Sequence, residues 1–204
     1  MKLIDLLCRY IIIQPFGNTP SLSKHGLKSI MSVFYDITCT IHKATALGVY
    51  HRDIKPENLI VYDSRGYTID WGIATSDLAQ DDEISATLAF TSLRILQKVR
   101  RTSTPILSYM TMTPYSVRDE LESVFYSLIY VLCDGKIIWR TKGTPTELFD
   151  SRNAVMGPRF DEQLLKAPVN CRPILEELHN ILFKRAEEPG INEIKDFFLE
   201  QSKM

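Results

Sequence analysis

The chain has 204 residues, of which 45% are hydrophobic and 24% charged, with 24 Lys and Arg against 25 Asp and Glu for a formal net charge of −1. This composition suits one soluble globular domain with a sizeable core, and the charge balance excludes a chain-wide basic surface of the kind that binds nucleic acid nonspecifically. No apolar run reaches the ~18 residues of a membrane span and no convincing signal-peptide cleavage region follows the N-terminus, so a cytoplasmic or nuclear protein with no nucleic-acid or membrane partner is expected.

In chain order, Tyr10–Ile13 is a short apolar run stopped by Gln14-Pro15-Phe16-Gly17, the pattern of a buried strand leaving a sheet through a bend. Ser23 can cap a long helix whose apolar positions Leu27, Ile30, Met31, Phe34, Ile37, Ile41, Ala44 and Leu47 follow helical spacing up to Gly48. The string His51-Arg52-Asp53-Ile54-Lys55-Pro56-Glu57-Asn58 comes next. Leu59–Tyr62 and Tyr67–Ile69 then flank Asp63-Ser64-Arg65-Gly66 as a hairpin that sets the distance from Asn58 to Asp70-Trp71-Gly72. Thr75, Ser76 and Ser85 lie among Asp77, Asp81, Asp82 and Glu83, a stretch that reads as a solvated loop. The Ser/Thr-rich segment from Arg100 to Thr113 reads as a surface loop. A second apolar helix is predicted from about Glu120 to Leu132, stopped by Asp134-Gly135, with further helical period from Cys171 to Arg185 and Ile191 to Leu199. Cys8, Cys39, Cys133 and Cys171 are scattered without metal-ligand spacing and read as reduced, mostly buried thiols. The fold class expected is α+β, mainly α-helical, with a small β-hairpin beside the His51–Asn58 string.

At residues 51–58 and 70–72 the chain resembles a eukaryotic-type protein kinase, and the resemblance covers that family's C-terminal lobe from roughly Tyr10 onward. A base-like aspartate, an amide metal ligand and a carboxylate metal ligand stand in register. The resemblance implies that Asp53 accepts or orients the proton of a substrate hydroxyl, that Lys55 steadies the transferring phosphate, and that Asn58 and Asp70 hold Mg²⁺ on ATP. His51, Arg52 and Gly72 support these residues, while Trp71 replaces the usual phenylalanine and reads as a packing aromatic. Lys55, two residues after the aspartate, resembles the Ser/Thr-directed kinases. Ala86-Thr87-Leu88-Ala89-Phe90-Thr91-Ser92 resembles the substrate-docking segment of the casein kinase I-like and fungal-type protein kinases, with alanine in place of the usual glycine and no Ala-Pro-Glu triplet after it; Thr87 would then lie near Asp53 and Lys55. Arg118-Asp119-Glu120-Leu121-Glu122-Ser123 is similar to the Arg-Asp-Asp-Leu-Glu-Ser opening of the central helix in the same two groups. Glu120 there replaces the aspartate that ties the helix to the catalytic loop and is one methylene longer.

By the same resemblance Ile13 backs the adenine pocket and the backbone near Phe16 bonds the adenine edge. Residues 1–17 would be the last small-lobe strand and hinge, and residues 18–204 the C-terminal lobe. No glycine-rich loop, strand lysine or helix glutamate can be placed, and Lys2 reads as a terminal solvated charge. The leading expectation is therefore a protein serine/threonine kinase acting on a protein substrate, represented by a truncated chain with weak ATP affinity and negligible activity. The alternative is a noncatalytic, kinase-like interaction module. A kinase domain carried by a larger secreted effector is a third reading. A small-molecule phosphotransferase is disfavoured by the Lys55–Asn58 continuation.

Overall fold

A glycine at positive φ divides the first helical stretch in two. Leu22–His25 (α1) and Leu27–Ala46 (α2) are separate helices because Gly26, at φ 74° and ψ 161°, has left the helical region. The cap expected at Ser23 is corrected accordingly, since Ser23 lies inside α1. The computed structural model describes residues 17–76, 88–100, 115–185 and 189–204. The strand expected at Tyr10–Ile13, the bend through Phe16, the acids from Asp77 to Glu83, Ser85, and the Ser/Thr-rich stretch beyond Arg100 lie outside the described residues, as does Cys8.

The inward face of α2 follows its spacing: Ile30, Met31, Phe34, Ile37 and Ile41 are buried. Leu47 is the exception, 81% exposed, because it follows the last helical residue and Gly48 at φ 71° turns the chain away. Val49–Tyr50 (β1) then pairs antiparallel with Thr75–Ser76 (β4), a bridge that closes the base of the segment between them. Within that segment Leu59–Tyr62 (β2) and Arg65–Thr68 (β3) form the hairpin, in register Tyr62↔Arg65. Its loop is the two residues Asp63 and Ser64, both at positive φ, and is tighter than the four-residue turn expected from the sequence.

That tighter turn places Gly66 inside β3 and against α2. A Cβ on Gly66 would stand 2.3 Å from the carbonyl oxygen of Val33, so the hairpin can lie this close to the helix only on glycine. Asp36 fastens the contact, its Oδ2 accepting from Arg65 Nε at 2.8 Å and from the Gly66 amide at 3.1 Å. Asn18 exchanges both backbone bonds with Val61, at 3.1 and 2.8 Å, on the other edge of the hairpin.

Leu93–Val99 (α3) precedes the central helix Val117–Leu132 (α4), which begins three residues earlier than predicted. The earlier start is set by Asp119, whose Oδ2 accepts from the Ser116 amide at 2.8 Å and from its hydroxyl at 3.0 Å. Asp134 and Gly135, both at positive φ, stop it as expected. The helix is buried almost all round, as a core helix must be. Around it stand Pro145–Met156 (α5), Phe160–Leu164 (α6), Arg172–His179 (α7) running into a π turn at Asn180–Lys184, and Ile191–Gln201 (α8), whose Phe198 ring meets Phe34 of α2 at 5.8 Å. The architecture is mainly helical with small antiparallel sheets, as expected. Cys39, Cys133 and Cys171 are free thiols, and among the described residues no helix is long and apolar enough to cross a membrane.

Because no side chain fits between β3 and α2, Gly66→Ala should force the hairpin off the helix. A loss of about 3 kcal/mol in unfolding free energy is expected, read from the urea midpoint with the slope unchanged.

Candidate active site

The loop after β1 is built from buried polar residues that hold one another. His51 packs its ring on Trp71, with centroids 4.5 Å apart. Its Nε2 bonds the Ile69 carbonyl oxygen at 3.0 Å, and its Nδ1 receives the Asp53 amide at 3.3 Å. Those partners require a proton on Nε2 and a lone pair on Nδ1, which is the neutral ring, and burial pushes the His51 pKa down in the same sense. Arg52 sits at φ 69°, unusual for a side-chain-bearing residue, and its amide donates to Glu120 Oε1 at 2.9 Å.

The bend brings Asp53, Lys55 and Asn58 together. Asp53 Oδ2 accepts from Lys55 Nζ at 2.6 Å and from Asn58 Nδ2 at 2.9 Å, and the same Nδ2 reaches the Asp53 carbonyl at 2.8 Å. Residues Pro56–Asn58 form a single 3₁₀ turn that swings Asn58 back, with its amide donating to the Lys55 carbonyl at 2.9 Å. Using Nδ2 on Asp53 leaves the amide oxygen of Asn58 as the donor atom available to a metal ion.

The far strand of the hairpin brings the second carboxylate alongside. The Ile69 amide donates to the Asn58 carbonyl at 2.9 Å while the Ile69 carbonyl accepts from His51, so the residue before Asp70 is bound to both ends of the loop. Asp70 itself is exposed and at φ 62°. A Cβ on Gly72 would stand 3.3 Å from Asp70 Oδ1, so glycine keeps that carboxylate uncrowded. Trp71 is half-buried, with Nε1 donating to the Thr68 carbonyl at 3.2 Å, and it serves packing. An amide oxygen and an exposed carboxylate are hard oxygen donors, and they fit Mg²⁺ completed by water and phosphate oxygens. Ile13, Phe16 and Thr87 lie outside the described residues.

The start of α4 ties this loop to the segment that follows Thr87. Glu120 is fully buried and spans the gap to the Arg52 amide despite its extra methylene, while its Oε2 has no partner among the described residues. Burial, against the pull of the Arg52 and His51 amides, pushes its pKa up to about 7. Asp119, Glu122 and Ser92, which the sequence offered only within motif strings or as a helix start, also act here. Asp119 takes the Ser92 hydroxyl and pairs with Arg94, and Glu122 Oε2 accepts the Leu93 amide at 2.9 Å and the Tyr126 hydroxyl at 3.0 Å. Ser92 also caps α3, accepting the Ile95 amide at 3.3 Å. The signal was present in the Arg118–Ser123 string, where Asp119 reads as favouring a helix N-terminus and Glu122 carries no role.

Residues 3–132 match the model of a family described as fungal protein kinase. Among curated relatives, the chain is 27% identical over 96 residues to a negative regulator of sexual conjugation and meiosis from Schizosaccharomyces pombe, covering 46% of this chain and 20% of that one. It is 33% identical over 60 residues to the serine/threonine-protein kinase PknD of Chlamydia pneumoniae, covering 29% of this chain and 6% of the relative. The chain thus spans a fifth or less of the length of these two relatives.

Glu120 makes stability depend on pH in a definite direction. With its pKa raised from 4.5 to about 7 on folding, its contribution is fully present below about 4.5 and is lost as pH rises through 7. The total is roughly 3 kcal/mol, at about 1.4 kcal/mol per pH unit where the slope is steepest. Glu120→Gln should flatten the unfolding free energy between pH 4.5 and 7, as measured by urea titration across that range. A slope equal to that of the parent chain would refute the assignment.

Proposed function

The chain belongs to the fungal protein kinase family, and on that premise we propose that it transfers the γ-phosphate of ATP to a serine or threonine hydroxyl of a protein substrate. The observation that carries this reading is the Asp53 carboxylate held by Lys55 at 2.6 Å and by Asn58 at 2.9 Å, with the exposed Asp70 following Ile69, which bonds both His51 and Asn58. The acceptor oxygen attacks the γ-phosphorus, the bond from that phosphorus to the β–γ bridging oxygen breaks, ADP departs, and the hydroxyl proton goes to Asp53. Lys55 places a cation where negative charge gathers on the transferring group. Mg²⁺, when held by the Asn58 amide oxygen and the Asp70 carboxylate, supplies neutralisation of the phosphate oxygens.

The Ser/Thr preference is supported by Lys55 in contact with Asp53 and by the serine/threonine kinase among the relatives. The Arg118–Ser123 opening supports a protein acceptor through what it holds. Its acids fix both the catalytic loop and the Leu88–Ser92 segment, so loop and acceptor support are referred to one helix.

With the purified chain, Mg²⁺-ATP should raise the thermal midpoint and Asp70→Ala should abolish that shift. Phosphate transfer from labelled ATP to a serine-containing peptide library should fall by about 10²–10⁴ in Asp53→Asn, with the Mg²⁺-ATP shift retained. A chain that folds, shows neither an ATP-dependent shift nor transfer, and binds a protein partner without Mg²⁺-ATP would establish the noncatalytic reading instead.

A further inference from the structure

The largest fully buried side chain is an arginine that none of the chemistry above uses. Arg152 lies on α5, and its guanidinium enters the body of the protein and stops beneath the Leu88–Thr91 segment. Nη1 donates to the carbonyl of Thr91, and Nη2 donates to the carbonyl of Ala89 and, at 2.9 Å, to that of Leu88. Tyr126 lies under the cation at 4.7 Å from its ring centroid and Trp139 at 6.0 Å. Trp139 adds a bond of its own, Nε1 to the Ala89 carbonyl at 3.3 Å. Burial pulls the arginine down only to about 10, so it stays charged at neutral pH.

Such an arrangement is costly unless it holds something in place. Backbone carbonyls in a turn are ordinarily satisfied by water or by local amides, and here they converge on one desolvated cation from a helix some sixty positions away. The same segment is gripped from the other side by Asp119 and Glu122 of α4. Its outer flank is closed by Leu88, Leu93 and Leu96 against Leu148 and Phe149 of α5, and Arg100 both covers the Phe149 ring at 4.0 Å and meets Asp150 at 3.0 Å. α5 is therefore the outer half of a clamp whose inner half is α4.

We propose that Arg152 is a positioning residue for acceptor binding, setting through the Leu88, Ala89 and Thr91 carbonyls the shape of the segment against which the protein substrate lies. The assignment deepens the kinase reading and rests on it for the identity of the acceptor. A guanidinium is suited to the task because its planar fork reaches several oxygens at fixed angles, which an ammonium cannot do. Truncating it leaves the Leu88 and Thr91 carbonyls without their arginine donor and Ala89 with Trp139 alone, while the α4 contacts to Ser92 and Leu93 persist, so the segment should loosen without the fold being lost.

The test compares the full chain with Arg152→Met, Arg152→Lys and Trp139→Phe by hydrogen exchange and by transfer kinetics on a serine-centred peptide library. In Arg152→Met the amides of 88–96 should exchange at least tenfold faster while those of 117–132 keep their protection. The KM for peptide should rise at least tenfold, with the KM for ATP moving less than twofold. Arg152→Lys should recover part of both effects, and Trp139→Phe, which deletes a single bond to Ala89, should show a smaller change confined to the same segment. Unchanged exchange at 88–96, equal acceleration throughout α4, or parallel rises in both KM values would overturn the proposal. If the parent chain transfers too little phosphate for kinetics, the exchange experiment alone decides whether Arg152 holds the segment.

Discussion

The bond from the Arg52 amide to Glu120 Oε1 is the constraint on which the candidate site depends, because it joins the loop of residues 51–58 to the buried central helix. Without it Arg52 would have no reason to hold φ 69°, and the reversal that aims Asp53 toward Lys55 and Asn58 would relax. The cost of the arrangement is visible in Glu120 itself, a buried carboxylate with one oxygen bonded and the other unpartnered. An isolated buried charge would be prohibitive, and the residue responds by holding its proton more tightly. Aspartate, one methylene shorter, is the usual occupant; here glutamate makes the same join from the same helix.

The neighbouring acids extend this single join into a platform. Asp119 has Ser116 behind it and Ser92 and Arg94 in front, so the group that starts the helix also fixes the start of α3. Glu122, one turn on, holds the Leu93 amide and is held by Tyr126, whose ring in turn underlies Arg152. Three acids in four positions thus reach in different directions around one helix end, which is possible because successive residues are rotated by a helical step. A charged string that would read as a solvated face has each of its acids buried. Glu122, like Glu120, has its pKa raised by that burial.

Much of this was legible in the sequence where local chemistry decides. The spacing of Ile30 to Ile41 marked the buried face of α2, and the Asp134-Gly135 pair marked the end of α4. Two capping signals, Ser116 with Asp119 and Thr144 with Glu147, were also present and would have set the starts of α4 and α5. What was not legible depends on approach in three dimensions. Gly26 reads as an ordinary helical position until its φ is known, and Gly66 reads as the tip of a turn although it is the point where strand meets helix. Arg152 is hidden for the same reason: a single arginine in a polar helix looks solvated, and only the path of residues 88–91 shows what it faces.

The hairpin explains how Asn58 and the residues leading to Asp70 come together while Asn58 and Asp70 stand twelve positions apart. Leu59↔Thr68 is the last paired position before the strands separate, so Asn58 and Ile69 emerge side by side and the Ile69 amide closes on the Asn58 carbonyl. Lengthening the Asp63-Ser64 loop would leave this end of the ladder unchanged, whereas a one-residue slip in register would turn every side chain of β3 to the opposite face. Register is therefore the quantity under control, and two contacts outside the hairpin control it. Gly66 admits no other residue against Val33, and Asp36 accepts from both Arg65 and Gly66. The spacing of the site is fixed from α2, an element that contributes no residue to the chemistry.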